Sequence, residues 1–474
     1  MDWRGLPNIL RKGMVKLRKT KTYKLWTFGA VTLATLALAA GCSNKGTTTD
    51  AGNNKAEAEK ASAVEQQSSE PVELVFYSQN GSSEAFFNEV YGDKIRKKFP
   101  NYTIKYIQRT GPGTLLADMV SSKTHFDFYF NSVYGFLYEV LPVEIQYDMT
   151  DLAKKHGVDL SKLEPAAIEG FRNDVGGKLF ALPIHQDVLV TLYHKDLFDK
   201  FGIPHLKDGM TWDDLYAVSK RITRNEGGVN YVGYAPMIDY LVRMNPYSIP
   251  NLDKDTLKPT INTDAKWKTF FEKLIVPPGE VAGAARGELP KDAVQVLEKF
   301  IAGQQAMVVY IPQVVKSWAD RFKQVKFDFV SAPTLPDRKG VGSMPYPVYL
   351  GITQMAKNKD AAMEVLKFLI SDEAQTDLAK KGLMPVVKSD SVKKAYGTDT
   401  GFQNLNWGAA FYNQAAPVPY KGPMDGMVGD IYRKYAYEVM FGTTDMNTAL
   451  RKAEEETIKQ VEDFRAKVNP NVFK

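Results

Sequence analysis

Gly176–Pro204, GGKLFALPIHQDVLVTLYHKDLFDKFGIP, contains two short apolar runs separated by a polar break. Lys178–Pro183 follows a Gly-Gly turn and has the length and apolar content of a strand. Val188–Tyr193 is a second run, rich in β-branched residues, and KDLF opens an amphipathic piece that ends at Gly202. His185, Gln186 and Asp187 stand where the apolar pattern would otherwise continue. An extended segment crossing between two lobes, lined with polar groups facing a cleft, has this character. A polar kink between two central strands is the plainer account of the same residues.

The body around this stretch alternates strands and helices. Val72–Tyr77 is a strand closed by Ser78-Gln79-Asn80-Gly81, and Ser82 or Ser83 can cap the helix that follows. In that helix Phe87, Tyr91, Ile95 and Phe99 fall four apart on one stripe before Pro100 stops it. Strands are expected over 101–107 and 126–130 with a short helix over 115–120 between them, the order of a parallel sheet with crossovers. Ligands of such sheets bind beyond the carboxyl ends of the strands, which points to Gln79, Asn80, Asn131 and Tyr134. Further on, the spacing predicts a helix over 212–222 capped by Thr211, strands over 231–236, 327–333 and 344–353, and one amphipathic helix over 359–378. From Asp430 onward the chain reads as helical, with Glu454-Glu455-Glu456 on its solvated side.

The succession GKLFALP … LYHKDLFDKFGIP … TWDDL (Thr211–Leu215) closely resembles bacterial extracellular solute-binding proteins of ABC importers, of the sugar-binding, maltose-binding-protein-like type. The segment Phe300–Met307 (FIAGQQAM) resembles another part of the same pattern, and the likeness runs from about Val72 to the C-terminus. The resemblance implies an α/β, two-lobed periplasmic-binding-protein-like fold of type II, each lobe a mostly parallel sheet flanked by helices. It implies chain crossings near 185–189, 346–351 and 382–386, hence lobes of 71–186 plus 350–383 and 187–349 plus 384–474. The implied function is a solute receptor that closes on a sugar, read as an oligosaccharide, and delivers it to permease subunits. No catalysis, cofactor or metal is implied, and the receptor is expected to act as a monomer. A surface-anchored glycoside hydrolase and a receptor for a peptide or other non-sugar solute are the alternatives. The first needs a carboxyl pair across a sugar, and nothing positive in the sequence marks one.

Tyr and Phe together number 49, with six Trp, and most must be core. Where the resemblance puts the cleft, Tyr134, Tyr240, Tyr310, Tyr346, Tyr349, Trp407 and Tyr412 are candidates to stack on sugar rings. Gln79, Asn80, Asn131, Gln186, Asp187 and Asp239 are the candidates to bond hydroxyls. The chain has no nucleotide-binding glycine motif, serine-hydrolase elbow or HExxH pair. Its five histidines are scattered, and only His185 falls where a site is expected. Asn251-x-Asp253-x-Asp255 begins like a calcium loop, but Thr256 replaces the turn glycine and Asn262 stands at position twelve; a polar loop is the better reading.

The net charge of +6 comes from the N-terminus. Removing the eight basic side chains and one acid of residues 1–41 leaves 53 basic and 54 acidic residues, a body at −1, so nothing argues for a nucleic-acid partner. Leu25–Ala40 is apolar but short for a membrane span and suits a signal peptide. It ends at Ala39-Ala40-Gly41-Cys42, which resembles a lipobox with Ala39 in place of the usual larger residue; Met14 is a second candidate start. Cys42, the chain's only cysteine, is the expected lipidation site, and an uncleaved anchor with an incidental cysteine is the alternative. Residues 42–70, polar and without an aromatic, are expected to tether the body to the extracellular face of the cell membrane. Cys42→Ser is expected to leave the precursor uncleaved or release the body into the medium. Membrane fractionation with intact-mass measurement checks this, and unchanged attachment and mass would refute it.

Overall fold

The strands fall at β1 Val72–Ser78, β2 Tyr102–Gln108, β3 Phe128–Ser132, β4 Leu182–His185 and β5 Val190–His194. They continue with β6 Arg224–Glu226, β7 Val229–Tyr234, β8 Gln305–Tyr310, β9 Phe327–Ser331 and β10 Val348–Ile352. The structure, a computed structural model, describes residues 72–79 and 82–466. The signal segment, Cys42, the tether and Asn80 lie outside the described residues.

Two five-stranded sheets result, in the orders β2-β1-β3-β10-β4 and β6-β7-β8-β5-β9. In the first sheet β2, β1 and β3 are parallel and β10 runs against both β3 and β4. In the second, β7 and β8 are parallel, whereas β5 runs against β8 and β9 and β6 against β7. The sheets are therefore mixed rather than mostly parallel. The reason is connectivity: β5 and β10 are the strands that reach one sheet directly from the other, β5 after only residues 186–189. A strand delivered that way enters from the cleft edge and runs opposite to those returned by helical crossovers.

Alternation along β1 shows how the sequence sets the two faces. Leu74 and Phe76 belong to the larger buried cluster, and Val75 and Tyr77 to a second cluster on the opposite face. The stripe Phe87, Tyr91, Ile95, Phe99 is buried as its spacing predicts. Its helix contains a π turn over Asn88–Gly92 between Glu84–Phe87 and Asp93–Lys98, and Ser83 Oγ accepts from Phe86 N–H to cap it. Helix Trp212–Ile222 matches its predicted span, and Thr211 and Asp214 form a reciprocal capping box.

Several boundaries differ from expectation. Apolar runs mark burial rather than hydrogen bonding, so the first strand of the opening stretch shifts to Leu182–His185 and the second to Val190–His194. The predicted helix 359–378 is two helices, Lys359–Leu369 and Asp372–Lys380, because Ser371 Oγ caps the second by accepting from Ala374 N–H. The C-terminal helical region is Asp425–Phe441 and Met446–Arg465, parted at Gly442, whose φ of 72° terminates the first. In the acid run only Glu455 is exposed, paired with Arg451, while Glu456 accepts from Tyr435 and Lys434, and Glu454 from Asn262. Asp253 accepts from Thr256 N–H and hydroxyl, which folds the 251–256 segment on itself as a polar loop.

A buried amide ties helix Asp372–Lys380 to the strand that leads into the cleft. Gln375 Nε2 donates to the carbonyls of Ile184 and Leu369 at 2.8 Å each, and its Oε1 accepts from Val386 N–H at 2.9 Å. Gln375→Leu would keep the volume and strand three buried backbone groups, so it is expected to cost about 2–4 kcal/mol. Urea unfolding of the two proteins checks this; equal midpoints would contradict it.

Candidate functional site

Three chain segments meet where the two sheets adjoin. Gln186 N–H donates to Met384 O at 3.0 Å, Asp187 N–H to Tyr346 O at 3.1 Å, and Tyr346 N–H returns a bond to Asp187 O at 2.8 Å. Leu189 N–H reaches Ser343 Oγ at 3.1 Å. The polar break of the opening stretch is thus backbone-bonded to the segment that leads into β10 and to the one that follows helix Asp372–Lys380.

Side chains divide around this junction. Gln186 Nε2 donates to Pro385 O at 2.9 Å, which turns its amide into the junction itself. Asp187 is 4% exposed, and its Oδ1 has no hydrogen-bond partner among the described residues. Burial pushes its carboxyl up to about 8. Burial raises the hydroxyls of Tyr91, Tyr310 and Tyr396, and Asp187 adds to the rise in each, after an opposing hydrogen bond from Tyr240 in the case of Tyr310, which places all three within its electrostatic reach. Tyr240 packs edge-on against Tyr310 with ring centroids 4.5 Å apart, and Tyr346 acts electrostatically on Tyr240 while its own hydroxyl meets Ser132 Oγ at 3.1 Å. Asp187, Tyr240, Tyr310 and Tyr346 are therefore brought together.

Other candidates are not. Tyr349 lies in the second core cluster, stacked on Phe171, with its hydroxyl on the Ala167 carbonyl. Trp407 is core as well: its Nε1 donates to Phe402 O, and Tyr396 and Phe329 pack edge-on against it. Asn131 is committed internally, accepting from Ser132 N–H and donating to Tyr129 and Glu139. Gln79 accepts from the Tyr77 hydroxyl. Asp239 pairs with Arg433 at 2.7 Å, although burial still raises its pKa. Tyr412 is 57% exposed beside Gly209. Asn80 and the Tyr134 side chain lie outside what the structure describes.

Two neighbours of Asp187 went unread as site residues in the sequence, Tyr91 and Tyr396, whereas His185 was marked by its place in the polar break. Tyr91 was hidden in a core stripe, where its ring belongs, yet its hydroxyl lies 2.6 Å from His185 Nδ1. The available signal is that a buried stripe carries Tyr where Phe would pack, since a buried hydroxyl needs a partner. Tyr396 carried no local signal.

Asp187 should make stability fall with rising pH. Its folded pKa of about 8 exceeds the unfolded value of about 3.9, so its contribution is fully present below about pH 4 and is lost as pH rises toward 8. Asp187→Asn, which cannot ionise, is expected to melt close to the wild type at pH 4 and a few degrees higher at pH 8. Asp174, also pushed up by burial to about 8, is present in both proteins and cancels from the difference. Melting curves from pH 4 to 8 that stay parallel would contradict the assignment.

Residues 79–376 match the family of bacterial extracellular solute-binding proteins. A binding protein of Brucella abortus (strain 2308) is 24% identical over 304 residues, 55% of this chain and 70% of the relative. Among solved structures, an ABC substrate-binding protein from Listeria monocytogenes in complex with cycloalternan aligns with a TM-score of 0.64 at 19% identity, over 83% of this chain and all of that one. The cyclic alpha-maltosyl-1,6-maltose binding protein from Arthrobacter globiformis gives 0.65 at 16% identity, over 82% and 99%. The sugar-binding protein MalE from Xanthomonas citri gives 0.63 at 17%, over 84% and 100%. At these identities the likeness is one of fold.

Proposed function

This chain belongs to the family of bacterial extracellular solute-binding proteins, and on that premise we propose that it is the receptor of an ABC importer that encloses a carbohydrate. The observation that carries the reading is Asp187: a buried carboxyl, unpartnered at Oδ1 among the described residues and set among tyrosines where the two sheets adjoin. Leaving a buried polar group unpaired costs about 1–3 kcal/mol. A native fold that keeps such a group within a functional junction has a use for it. Ring hydroxyls supply the missing donors, and the Tyr240–Tyr310 pair offers aromatic faces for the apolar side of a sugar. Carbohydrate ligands of the fold neighbours point the same way.

The lobes that close on this ligand are, in the proposal, residues 71–186 with 350–383 and 187–349 with 384–474. The ligand holds them together through contacts made only in the closed form. Cys42 anchors the receptor by its lipid at the extracellular face of the membrane, and the closed form docks on permease subunits.

Calorimetry against linear and cyclic glucose and mannose oligosaccharides tests the proposal. Binding is expected for at least one of them. Measured at pH 9, where its carboxyl is ionised, Asp187→Ala should weaken it ten- to a hundredfold, since a hydrogen bond to a charged group contributes about 1.5–3 kcal/mol and 1.4 kcal/mol is tenfold. Tyr310→Ala should weaken it by a similar factor, and Trp407→Ala, now a core change, should lower the melting temperature instead. Full affinity in the Asp187 and Tyr310 variants would remove both residues from the site. Absence of binding to the whole panel would overturn the carbohydrate assignment.

A further inference from the structure

His185, Gln186 and Asp187 form a short alternating series. Gln186 is bridged to Met384 through its backbone and sends its side chain to Pro385. Side chains two apart on an extended segment share a face, so His185 and Asp187 lie together on the side opposite Gln186. That side holds Tyr91, since its hydroxyl meets His185 Nδ1 at 2.6 Å and feels the Asp187 charge.

The protons of the Tyr91–His185 pair can be placed. Burial lowers the imidazole pKa to about 3, so His185 is neutral at ordinary pH, and burial raises the Tyr91 phenol, so it keeps its proton. One of the two must donate across 2.6 Å. Tyr91 is buried, and among the described residues its hydroxyl has no acceptor besides Nδ1. Had Nδ1 carried the hydrogen, the phenol proton would be stranded. The hydroxyl therefore donates to Nδ1, and the imidazole hydrogen sits on Nε2. Among the described residues the one hydrogen bond of the His185 ring is that at Nδ1, which leaves Nε2–H for another partner, and Asp187 Oδ1 is buried without one.

We propose that His185 Nε2–H and the Asp187 carboxyl are a fixed donor–acceptor pair that reads two adjacent oxygens of the solute, with Tyr91 as the residue that positions the donor. The inference rests on the receptor reading above and deepens it. One solute hydroxyl gives its hydrogen to a carboxyl oxygen of Asp187, which accepts whether the group is protonated or ionised, and a neighbouring hydroxyl or ring oxygen accepts from His185. A vicinal diol meets both demands. A protonated amine at the second position has no lone pair to accept from Nε2–H, so an amino sugar is refused there.

The tautomer can be read without any solute, from nitrogen-15 spectra of the five histidines, with His185 assigned by its loss in His185→Gln. The expected result is a neutral Nε2–H imidazole from pH 5 to 8 in the wild type, and a population shift toward Nδ1–H in Tyr91→Phe. Calorimetry then uses maltotriose, mannotriose and the glucosamine trimer as probes. Tyr91→Phe is expected to lose about tenfold in affinity for whichever neutral trimer binds. His185→Gln, which retains an N–H donor, should bind better than His185→Leu. The glucosamine trimer should bind at least tenfold more weakly than the neutral one, and this gap should shrink in His185→Leu. A charged or Nδ1–H imidazole in the wild type overturns the inference, and so does wild-type affinity in both Tyr91→Phe and His185→Leu. Failure of every trimer to bind, with the Nε2–H tautomer observed, counts instead against the carbohydrate reading.

Discussion

The reciprocal backbone bonds between Asp187 and Tyr346, with the neighbouring bond from Gln186 to Met384, hold the rest of the molecule in relation. They fasten three segments distant in sequence at the one place where the sheets adjoin. Because the bonds use main-chain atoms, the side chains of His185 and Tyr346 reach other partners, Tyr91 and Ser132, and that of Asp187 is not spent on the junction. Gln186 is the exception, and its amide is spent on reinforcing the same junction through Pro385.

The mixed order of the sheets follows from that junction. β5 follows β4 after four residues and cannot turn back through a helix, so it enters the second sheet reversed. β10 makes the return journey and lies reversed in the first sheet, between β3 and β4. The two strands nearest the junction thus both run against the parallel pattern, as β6 does through its pairing with β7, and the candidate site lies at their ends. Fold and site share one cause.

Electrostatics at the junction are unusual for a body near neutrality. Most of its acids are exposed or paired, as in Lys94–Asp377 and Lys195–Asp328. Asp187 is neither. Its neighbours are phenols and a neutral imidazole, groups that exchange hydrogen bonds without offering compensating charge. Such an arrangement costs stability as the carboxyl ionises, because burial leaves its charge without an opposite one among these neighbours.

Much of this was legible in the sequence, because some signals are local. The four-residue stripe Phe87–Phe99, the Thr211/Asp214 capping box and the polar interruption at 185–187 each depend on residues close in the chain, and each appears in the structure. The family pattern, carried by GKLFALP and TWDDL, fixed the architecture for the same reason. What sequence could not assign was the address of each aromatic. Tyr310 and Tyr349 both sit on β-strands rich in apolar residues, yet one faces Asp187 and the other packs on Phe171. Only the pairing of β10 with β3 and β4, which turns Tyr349 toward the helix Pro165–Asp174, decides between them. Trp407 and Tyr91 exchanged expected roles likewise, since an indole can be sealed in a core by one carbonyl, while a phenol in a core stripe can extend its hydroxyl to a histidine 94 residues away. Residue type is set by sequence, but partnership across such distances exists only once the chain has folded.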